Sequence, residues 1–451
     1  MWKMNCCRTL LTGFVLSAVA ALPAAGQVVY EDIKVVADDG VPDDWFGGAV
    51  AVSDKFALVG AMGGPFGFDP ASAYLFDRTT GELLFRFEAS DVGLFGDFFG
   101  RSVTISGTTA IIGSRSAFGT GSAYVFDLTT GQELFKLTPS DGMAENNFGG
   151  SVSMSGTTAI VGDTRSTFLE PDLVGAVYLF DTTTGEELMK LTASDASAGD
   201  NFGSSVAMSG TIAIIGAVYD DHAGNRSGSA YLFDTTTGEE LFKLIASDAA
   251  AEDNFGRSVA ISGTTAIVGA NKYGGDSAGS AYLFDTVTGK ELFKLTAPAS
   301  PGGGAVGNWF GESVAISGTT ALVGMPFDEA TGLNKGTVFM FDTITGELIE
   351  WLVASDGALG DAFGDSVAMS GTNAIVGAIY DSNQVAVSGS AYVFFLCPAD
   401  LNDDGSLNFF DVSAFLSAFA AQDPVADFTG DGAFNFFDVS AFLAAFAAGC
   451  P

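Results

Sequence analysis

The sequence predicts an all-β fold, a seven-bladed β-propeller closed by an N-terminal strand, followed by a small α-helical domain at the C-terminus. Three observations support this prediction. A pattern anchored by Phe-Gly recurs seven times, each complete copy holds four short strand patterns, and the composition changes abruptly after residue 396. Helix patterns are missing from the repeated part and dominate the C-terminal part. We therefore divide the chain into residues 28–396 and 397–451, after a leader of residues 1–26.

The repeat has a fixed length. Its Phe-Gly pairs begin at seven positions, separated by 49 to 55 residues: Phe46, Phe99, Phe148, Phe202, Phe255, Phe310 and Phe363. A period of this size is typical of solenoids, propellers and arrays. A β-helix would need much shorter rungs, so a propeller, with one repeat per blade, is the better prediction.

One unit, residues 255–297, shows why each repeat should form four strands. "RSVAISG" alternates apolar and polar residues, and "TTAIVGA" is β-branched and apolar, as buried strands are. "SAYLFD" and "KELFKLTA" follow, joined by "TVTG", whose Gly289 can adopt the positive φ of a tight turn. Four short strands per unit are typical of a propeller blade.

The two ends of the repeated part complement each other. The seventh unit stops at "SAYVFF", residues 390–395, without a fourth strand. The missing pattern stands at the other end of the chain, where "EDIKVVADD", residues 31–39, matches "ELFKLIASD", residues 240–248. We therefore expect the N-terminal strand to complete the seventh blade, leaving only short protected edges.

The phrase "FGxSVAxSGTTAIVGA" followed by "GSAYLFD" resembles the FG-GAP repeat, which occurs in integrin α-chain propellers and in many secreted bacterial proteins. The resemblance covers residues 28–395 and implies a propeller. Some integrin-type repeats carry an acidic calcium motif after the first strand. The short "SGTTA" turn stands at that place here, so we assign no calcium site to the propeller.

The C-terminal part holds two copies of a calcium-loop pattern, 27 residues apart. Ca²⁺ prefers six to eight oxygen ligands, and side chains at loop positions 1, 3, 5 and 12 with a carbonyl at position 7 can surround one ion. The candidate ligands are Asp400, Asn402, Asp404, Ser406 and Asp411 in the first loop and Asp427, Thr429, Asp431, Ala433 and Asp438 in the second. The simpler interpretation is an acidic turn that caps a helix, but two copies in the same register favour Ca²⁺.

A duplicated calcium loop with one helix after each copy resembles a dockerin, and the Gly449-Cys450 ending resembles the type that terminates secreted proteins of planctomycete-like bacteria. The resemblance implies a cohesin-like partner or another component of the cell envelope. The apolar helices "VSAFLSAFAA" and "VSAFLAAFAA" are too short to span a membrane. A module of this size cannot hide all its Phe side chains. We predict that a partner binds at Phe415, Phe419, Phe442 and Phe446.

Residues 1–26 have the pattern of a secretory signal peptide: a positive start, an apolar run and small residues at a cleavage site. The sequence therefore predicts a secreted or cell-surface protein, with a disulfide between Cys397 and Cys450 in that oxidising environment. No other stretch is long enough to span a membrane. The net charge of −36 disfavours binding to nucleic acid or anionic lipid.

Catalytic chemistry is sparse. The single histidine, His222, stands in a polar loop, and the acids repeated at Asp141, Asp195, Asp248 and Asp356 are interpreted as turn residues. The variable loops should emerge on one face, where a glycan or a protein could bind; they are residues 62–71, 164–174, 218–228, 271–279, 326–336 and 379–389.

The sequence leaves two functions open. The first is a non-catalytic binding or structural protein, displayed through its calcium-dependent module. The second is a polysaccharide-active enzyme, a propeller glycosidase or lyase, carrying the same module. Two carboxylates about 5 to 10 Å apart in a cleft would favour the enzyme.

Overall fold

The computed structural model describes residues 27–63, 71–91, 97–116, 119–142, 147–164, 174–272, 279–298, 308–327, 335–382, 387–397, 399–401, 407–422, 426, 428 and 434–448. Two short strands come first, β1 (Gln27–Tyr30) and β2 (Ile33–Val35). The rest of the repeated part forms the seven sheets of a β-propeller.

The sheets follow the chain in order, and we number them as blades 1 to 7. Blade 1 consists of β3 (Phe46–Val52), β4 (Phe56–Ala61), β5 (Ser72–Asp77) and β6 (Leu83–Phe87). Blade 2 consists of β7 (Asp97–Ser106), β8 (Thr109–Ser116), β9 (Ser122–Asp127) and β10 (Glu133–Leu137). Blade 3 consists of β11 (Ser151–Ser155), β12 (Thr158–Asp163), β13 (Ala176–Asp181) and β14 (Glu187–Leu191). Blades 4 and 5 consist of β15 (Phe202–Ser209), β16 (Ile212–Ala217), β17 (Ser229–Asp234) and β18 (Glu240–Leu244); and β19 (Phe255–Ser262), β20 (Thr265–Ala270), β21 (Ser280–Asp285) and β22 (Lys290–Leu295). Blades 6 and 7 contain β23 (Val314–Ser317), β24 (Thr320–Met325), β25 (Thr337–Asp342) and β26 (Leu348–Val353); and β27 (Phe363–Ser370), β28 (Asn373–Ala378) and β29 (Ser390–Phe395).

Within each blade the chain runs as an antiparallel meander. The first strand is innermost, because the first strands of neighbouring blades contact one another all the way round, and β27 returns to β3. Middle strands such as β20 and β21 are almost wholly buried, whereas the outer strand β22 alternates between exposed and less exposed residues. A continuous apolar pattern in the sequence thus marks a middle strand of a blade, and an alternating pattern marks the outer strand.

The turn between the third and fourth strands is fixed by its own residues. In blade 5, Asp285 Oδ1 accepts hydrogen bonds from the backbone N–H groups of Val287 and Thr288, at 2.9 and 2.8 Å. Gly289 follows with a φ of +68°. An aspartate that binds the turn backbone and a residue free to adopt positive φ are what this turn requires.

The N-terminal strands lie on two different blades. Strand β2 pairs antiparallel with β29 and is the outer strand of blade 7, with Lys34 opposite Tyr392. Strand β1 runs parallel to β26 at the edge of blade 6. Glu31 accepts hydrogen bonds from the Ser355 N–H and hydroxyl, at 2.9 and 2.6 Å. Glu240 makes the same pair of bonds to Ser194, so Glu31 and Glu240 make equivalent contacts.

Neighbouring blades meet where two backbones approach closely. A Cβ on Gly269 in β20 would overlap the carbonyl oxygen of Gly311, the glycine of the next Phe-Gly pair. The same approach occurs at all seven boundaries, between Gly60 and Gly100, Gly113 and Gly149, Gly162 and Gly203, Gly216 and Gly256, Gly269 and Gly311, Gly324 and Gly364, and Gly377 and Gly47. Glycine is needed there because no side chain fits between the two blades.

A serine hydroxyl holds the same carbonyl. At six boundaries the serine of "FGxS" donates a hydrogen bond of 2.7 to 3.0 Å to the glycine oxygen of the next blade: Ser102, Ser151, Ser205, Ser258, Ser313 and Ser366. Blade 1 has Ala49 at this position. The Phe of the pair is buried, and Phe255 packs edge-on against Tyr282 and Phe284 of its own blade and within a cluster that includes Leu244 of blade 4.

The C-terminal part contains two helices, α1 (Phe409–Ala421) and α2 (Phe436–Ala448). Helix α1 begins with a capping box in which the Asn408 side chain accepts the Phe410 N–H and Asp411 accepts the Asn408 N–H. Phe415 and Phe442 stack at 4.1 Å between ring centroids and form the centre of a small core. Neither described helix has the length and apolar character of a membrane span.

We predict that Gly269→Ala destabilises the protein by about 1 to 3 kcal/mol, because the added methyl must displace the Gly311 backbone of the next blade. Urea denaturation of the full chain measures this. Gly40→Ala is the matched control, since a Cβ there would meet its nearest neighbours at 3.5 Å, which is ordinary contact. Equal effects of the two substitutions would contradict the proposed role of the glycine.

Candidate functional site at the loop face

The meander places two kinds of connection on one face of the ring. The segments that join successive blades and the loops between second and third strands both lie where the first strands begin. We call this side the loop face. Of the six predicted loops, residues 218–228 are described throughout. The other five are described only in part.

The loop face contains a cavity of about 250 Å³ where blades 4, 5 and 6 meet. Its walls come from the 218–228 loop, the segments leading into the two following blades and the first residues of blades 5 and 6. The lining residues are Val218, Tyr219, Arg226, Glu252, Asn254, Arg257, Asn271, Trp309 and Glu312.

One hydrogen-bond network fixes the floor of this cavity. Arg257 donates to Glu312 Oε1 through Nε, at 3.0 Å, and through a terminal nitrogen. Asn271 Nδ2 donates to the other oxygen, Glu312 Oε2, at 2.5 Å. The buried Glu312 carboxylate raises the pKa of Arg257. Arg257 therefore stays charged, and both groups are held in one orientation.

Backbone hydrogen bonds tie the 218–228 loop to the segment entering blade 5. Asn254 N–H donates to the Arg226 carbonyl at 3.0 Å, and Glu252 N–H donates to the Asn225 carbonyl at 2.8 Å. Arg226 lies over the Tyr219 ring, with 4.8 Å from its guanidinium carbon to the ring centroid. The cavity wall is therefore built from interlocked segments rather than from one projecting loop.

Arg257 and Glu312 share a position in the repeat. Both occupy the variable place in "FGxS", which is taken in the seven blades by Gly48, Arg101, Gly150, Ser204, Arg257, Glu312 and Asp365. Burial and the Glu312 charge raise the pKa of Asp365 to about 7, and burial and neighbouring arginines lower the pKa of Arg101. Four of the seven positions, those of Arg101, Arg257, Glu312 and Asp365, thus carry an ionisable side chain at the start of an innermost strand, and we call them the inner rim. Sequence reasoning missed it, although a variable position within a constant phrase was the available signal.

The carboxylates that precede six of the seven Phe-Gly pairs have a structural role. Asp248 accepts a hydrogen bond from the Tyr282 hydroxyl at 2.9 Å and pairs with Lys294 at 2.5 Å. Equivalent groups occur around Asp39, Asp91, Asp141, Asp195 and Asp356. In blade 6, Phe339 packs against Trp351 instead. These acids hold the outer strand of the next blade and are not free for chemistry.

The predicted calcium ligands are described only in part. Asp400, Asp411 and Asp438 are buried. The other seven lie outside the described residues: Asn402, Asp404, Ser406, Asp427, Thr429, Asp431 and Ala433. Asp411 Oδ2 accepts the Asn408 N–H at 2.8 Å, whereas its buried Oδ1 has no partner among the described residues. A buried carboxylate oxygen without a donor fits a cation ligand.

The predicted partner-binding phenylalanines need a correction. Phe415 and Phe442 are each 1% exposed, because their rings stack on each other inside the module. Phe419 and Phe446 are half-buried against the same core. The large apolar residues exposed on the described parts of the helices are Phe409, Phe410, Leu416, Phe436, Phe437 and Leu443. Helical spacing alone did not show which side of each helix would pack against the other helix.

Two further residues were singled out by sequence. Cys397 forms a disulfide, and Cys450 lies outside the described residues. His222 is exposed, and its backbone N–H donates to Asp220 at 2.9 Å.

We predict that stability falls as the pH drops below about 4, the ordinary pKa of an aspartate. The hydrogen bond from Lys294 lowers the pKa of Asp248 in the folded protein. The pair therefore contributes stability above the unfolded-state pKa and loses it as the pH falls through the folded one.

Asp248→Asn should remove this part of the acid dependence, measured by urea denaturation from pH 3 to 7. Because Asp248 is 52% exposed, the cost at pH 7 should stay below about 1 kcal/mol. Lys294→Met should flatten the acid dependence to the same extent. An unchanged slope in both variants would disprove the assignment.

Comparison with known proteins bears on the propeller. The FG-GAP repeat model matches seven segments, residues 30–76, 86–126, 132–180, 186–233, 239–284, 293–341 and 349–394. No curated protein matches the chain. Most matched segments begin near the outer strand of one blade and end with the third strand of the next. The first begins at residue 30 and includes β2. With more than half of its residues in these segments, the chain belongs to the FG-GAP repeat family.

Proposed function

We propose that this protein is a secreted or cell-surface binding protein without catalytic activity, in which the propeller is displayed through its C-terminal module. That module would bind calcium, as dockerins do, and dock to a cohesin-like protein or another component of the cell envelope. One observation carries the proposal: large apolar side chains are exposed at equivalent places on both helices. Export would depend on residues 1–26, which lie outside the described residues.

The exposed side chains form two matching sets. Phe409, Phe410 and Leu416 are 77, 67 and 57% exposed. The corresponding residues of the second copy are Phe436, Phe437 and Leu443, at 75, 69 and 52%. Soluble proteins seldom expose several large apolar side chains together unless a partner covers them. The duplication offers a partner two similar surfaces.

Calcium would organise the loops that precede these helices. Asp411 and Asp438 both stand at position 12 of their loops, and each accepts the backbone N–H of the residue three before it, at 2.8 Å. Each links its loop to the start of a helix. When bound, Ca²⁺ would neutralise the carboxylates that hold it. Calcium at 100 times its dissociation constant would add about 2.7 kcal/mol per independent site.

The engagement of the cavity carboxylates favours binding over catalysis. Glycoside hydrolysis requires one carboxyl that gives a proton and a second that attacks or activates water. Glu312 is paired with Arg257 and Asn271. Glu252 accepts a hydrogen bond of 2.6 Å from Asn225. Both carboxylates are thus committed to protein partners, which suits a preorganised binding site.

We expect calcium titration of the full chain by calorimetry to show two sites. Asp411→Asn and Asp438→Asn should each remove one, and the double variant both, because each replaces an anionic ligand by a neutral one. In a pull-down from native envelope extract, the unmodified chain should retain a protein partner. The double variant should lose that partner, as a chelated sample does. Capture that persists without calcium would contradict the docking proposal.

We also infer that residues 28–39 latch the ring, that is, they hold it closed by completing blade 7. Lys34 pairs with Asp356 at 2.5 Å and with Asp381 at 2.8 Å, beside Tyr392. Lys243 makes the matching contacts in blade 4, where the outer strand belongs to the same stretch of chain as its blade. The N-terminal segment thus supplies the outer strand of blade 7 and its lysine, whereas blade 4 takes both from its own repeat.

Deleting residues 28–39 should lower the melting temperature by about 5 °C or more, because blade 7 would lose its outer strand and expose an edge. Thermal unfolding followed by circular dichroism measures this.

Lys34→Met and Lys243→Met are the matched pair of controls for the latch. Since the two lysines make the same contacts, the two substitutions should cost the same stability. If Lys34→Met had no effect while Lys243→Met destabilised the protein, the N-terminal strand would not be latched.

A further inference from the structure

We propose that the cavity between blades 4, 5 and 6 binds one ring of a neutral saccharide. This inference rests on the proposed binding function and names the site and the ligand class. It derives from the charge, the chemistry and the construction of the nine residues that line the cavity.

The lining favours an uncharged ligand. Arg226 and Arg257 bring two positive charges, and Glu252 and Glu312 bring two negative ones. The formal charge of the wall is therefore zero. Arg257 and Glu312 already form an ion pair at short range. An anionic ligand would be repelled by Glu312, and a cationic ligand would be repelled by Arg257. Neither kind of ion gains from replacing that pair, whereas a neutral polar ligand leaves it intact.

The kinds of side chain suit a sugar ring. Tyr219 has Arg226 over one face, and Trp309 packs edge-on against Phe327. The ring surface that these two residues still present to the cavity can cover a C–H face of a pyranose. Asn254 Oδ1 is buried without a hydrogen-bond partner among the described residues and can accept, and the arginines bring guanidinium donors. A ligand that combines an apolar face with a rim of hydroxyls uses both kinds of surface. A purely apolar ligand would leave the polar groups without partners.

The size and rigidity of the cavity limit the ligand further. Its volume of about 250 Å³ lies below the roughly 300 Å³ at which pockets for drug-sized ligands begin. One saccharide ring fits such a space better than an extended chain. The Arg257–Glu312–Asn271 network and the backbone bonds of the 218–228 loop already hold the wall in place. Little ordering is therefore needed on binding.

Trp309 gives the sharpest test because the repeat supplies its own control. The residue before the Phe-Gly pair has positive φ in several blades, 58° at Trp309, 55° at Trp45, 57° at Asn201 and 55° at Asn254. Trp309→Asn therefore installs a residue that the chain itself uses at this place. Trp45→Asn makes the same change in blade 1, where Trp45 packs on Tyr380 away from the cavity.

The experiment is saturation-transfer NMR on the full chain. The probes are the methyl glycosides of glucose, galactose, mannose and xylose, with methyl glucuronide and glucosamine as charged comparisons. We expect at least one neutral glycoside to bind and the charged probes to bind more weakly. Trp309→Asn should weaken that binding about tenfold or more, as loss of a buried aromatic anchor does. Trp45→Asn should leave it unchanged.

Three results would overturn the inference: no binding of any neutral glycoside, tighter binding of a charged probe, or equal effects of Trp309→Asn and Trp45→Asn. The docking pull-down uses the C-terminal module and does not depend on Trp309. If calcium-dependent docking persists while the glycosides fail to bind, the saccharide site is wrong and the display function stands. If docking fails while the neutral glycoside binds, the display function is wrong and the saccharide site stands.

Discussion

The close approach of two glycine backbones at each blade boundary is the constraint on which the rest of the structure depends. Gly269 in a second strand lies against Gly311 of the following Phe-Gly pair, with no room for a side chain between them. Ser258 then donates a hydrogen bond to the same glycine carbonyl at 3.0 Å. Because these contacts recur around the ring, the Phe-Gly pair and the second-strand glycine recur in all seven repeats, and the serine recurs in six. The repetition of the sequence is therefore a consequence of packing.

The same constraint leaves certain positions free to differ. The residue directly after each Phe-Gly pair varies, from Gly48 to Arg257 and Glu312. The loops between the second and third strands vary as well. Where an arginine and a glutamate occupy neighbouring blades and the 218–228 loop covers them, a cavity with fixed polar groups results. Binding would then depend on variable residues held by an invariant frame.

Much of the fold could be predicted from sequence because it depends on local patterns. The number of blades and the succession of strands within them follow from the recurring sequence pattern. The site could not be predicted in the same way. The cavity joins Tyr219, Asn254 and Trp309 from separate repeats, and no local pattern shows which side chains meet. In the C-terminal module, the i, i+4 spacing of Phe415 and Phe419 marked an apolar face. That face is the interior of the module, where Phe415 stacks on Phe442.

Amide hydrogen exchange of the native full chain measures how strongly each blade boundary is held. It therefore tests whether the glycine contacts at the seven boundaries hold one closed ring. If seven equivalent contacts hold one ring, the amides of the innermost strands should exchange together and slowly. Those of β27 and β3, where the end of the ring meets its beginning, should be as protected as those of β15 and β19. Rapid exchange confined to β2, β29 and β3, with slow exchange elsewhere, would show that the ring is open at that boundary and would contradict the account.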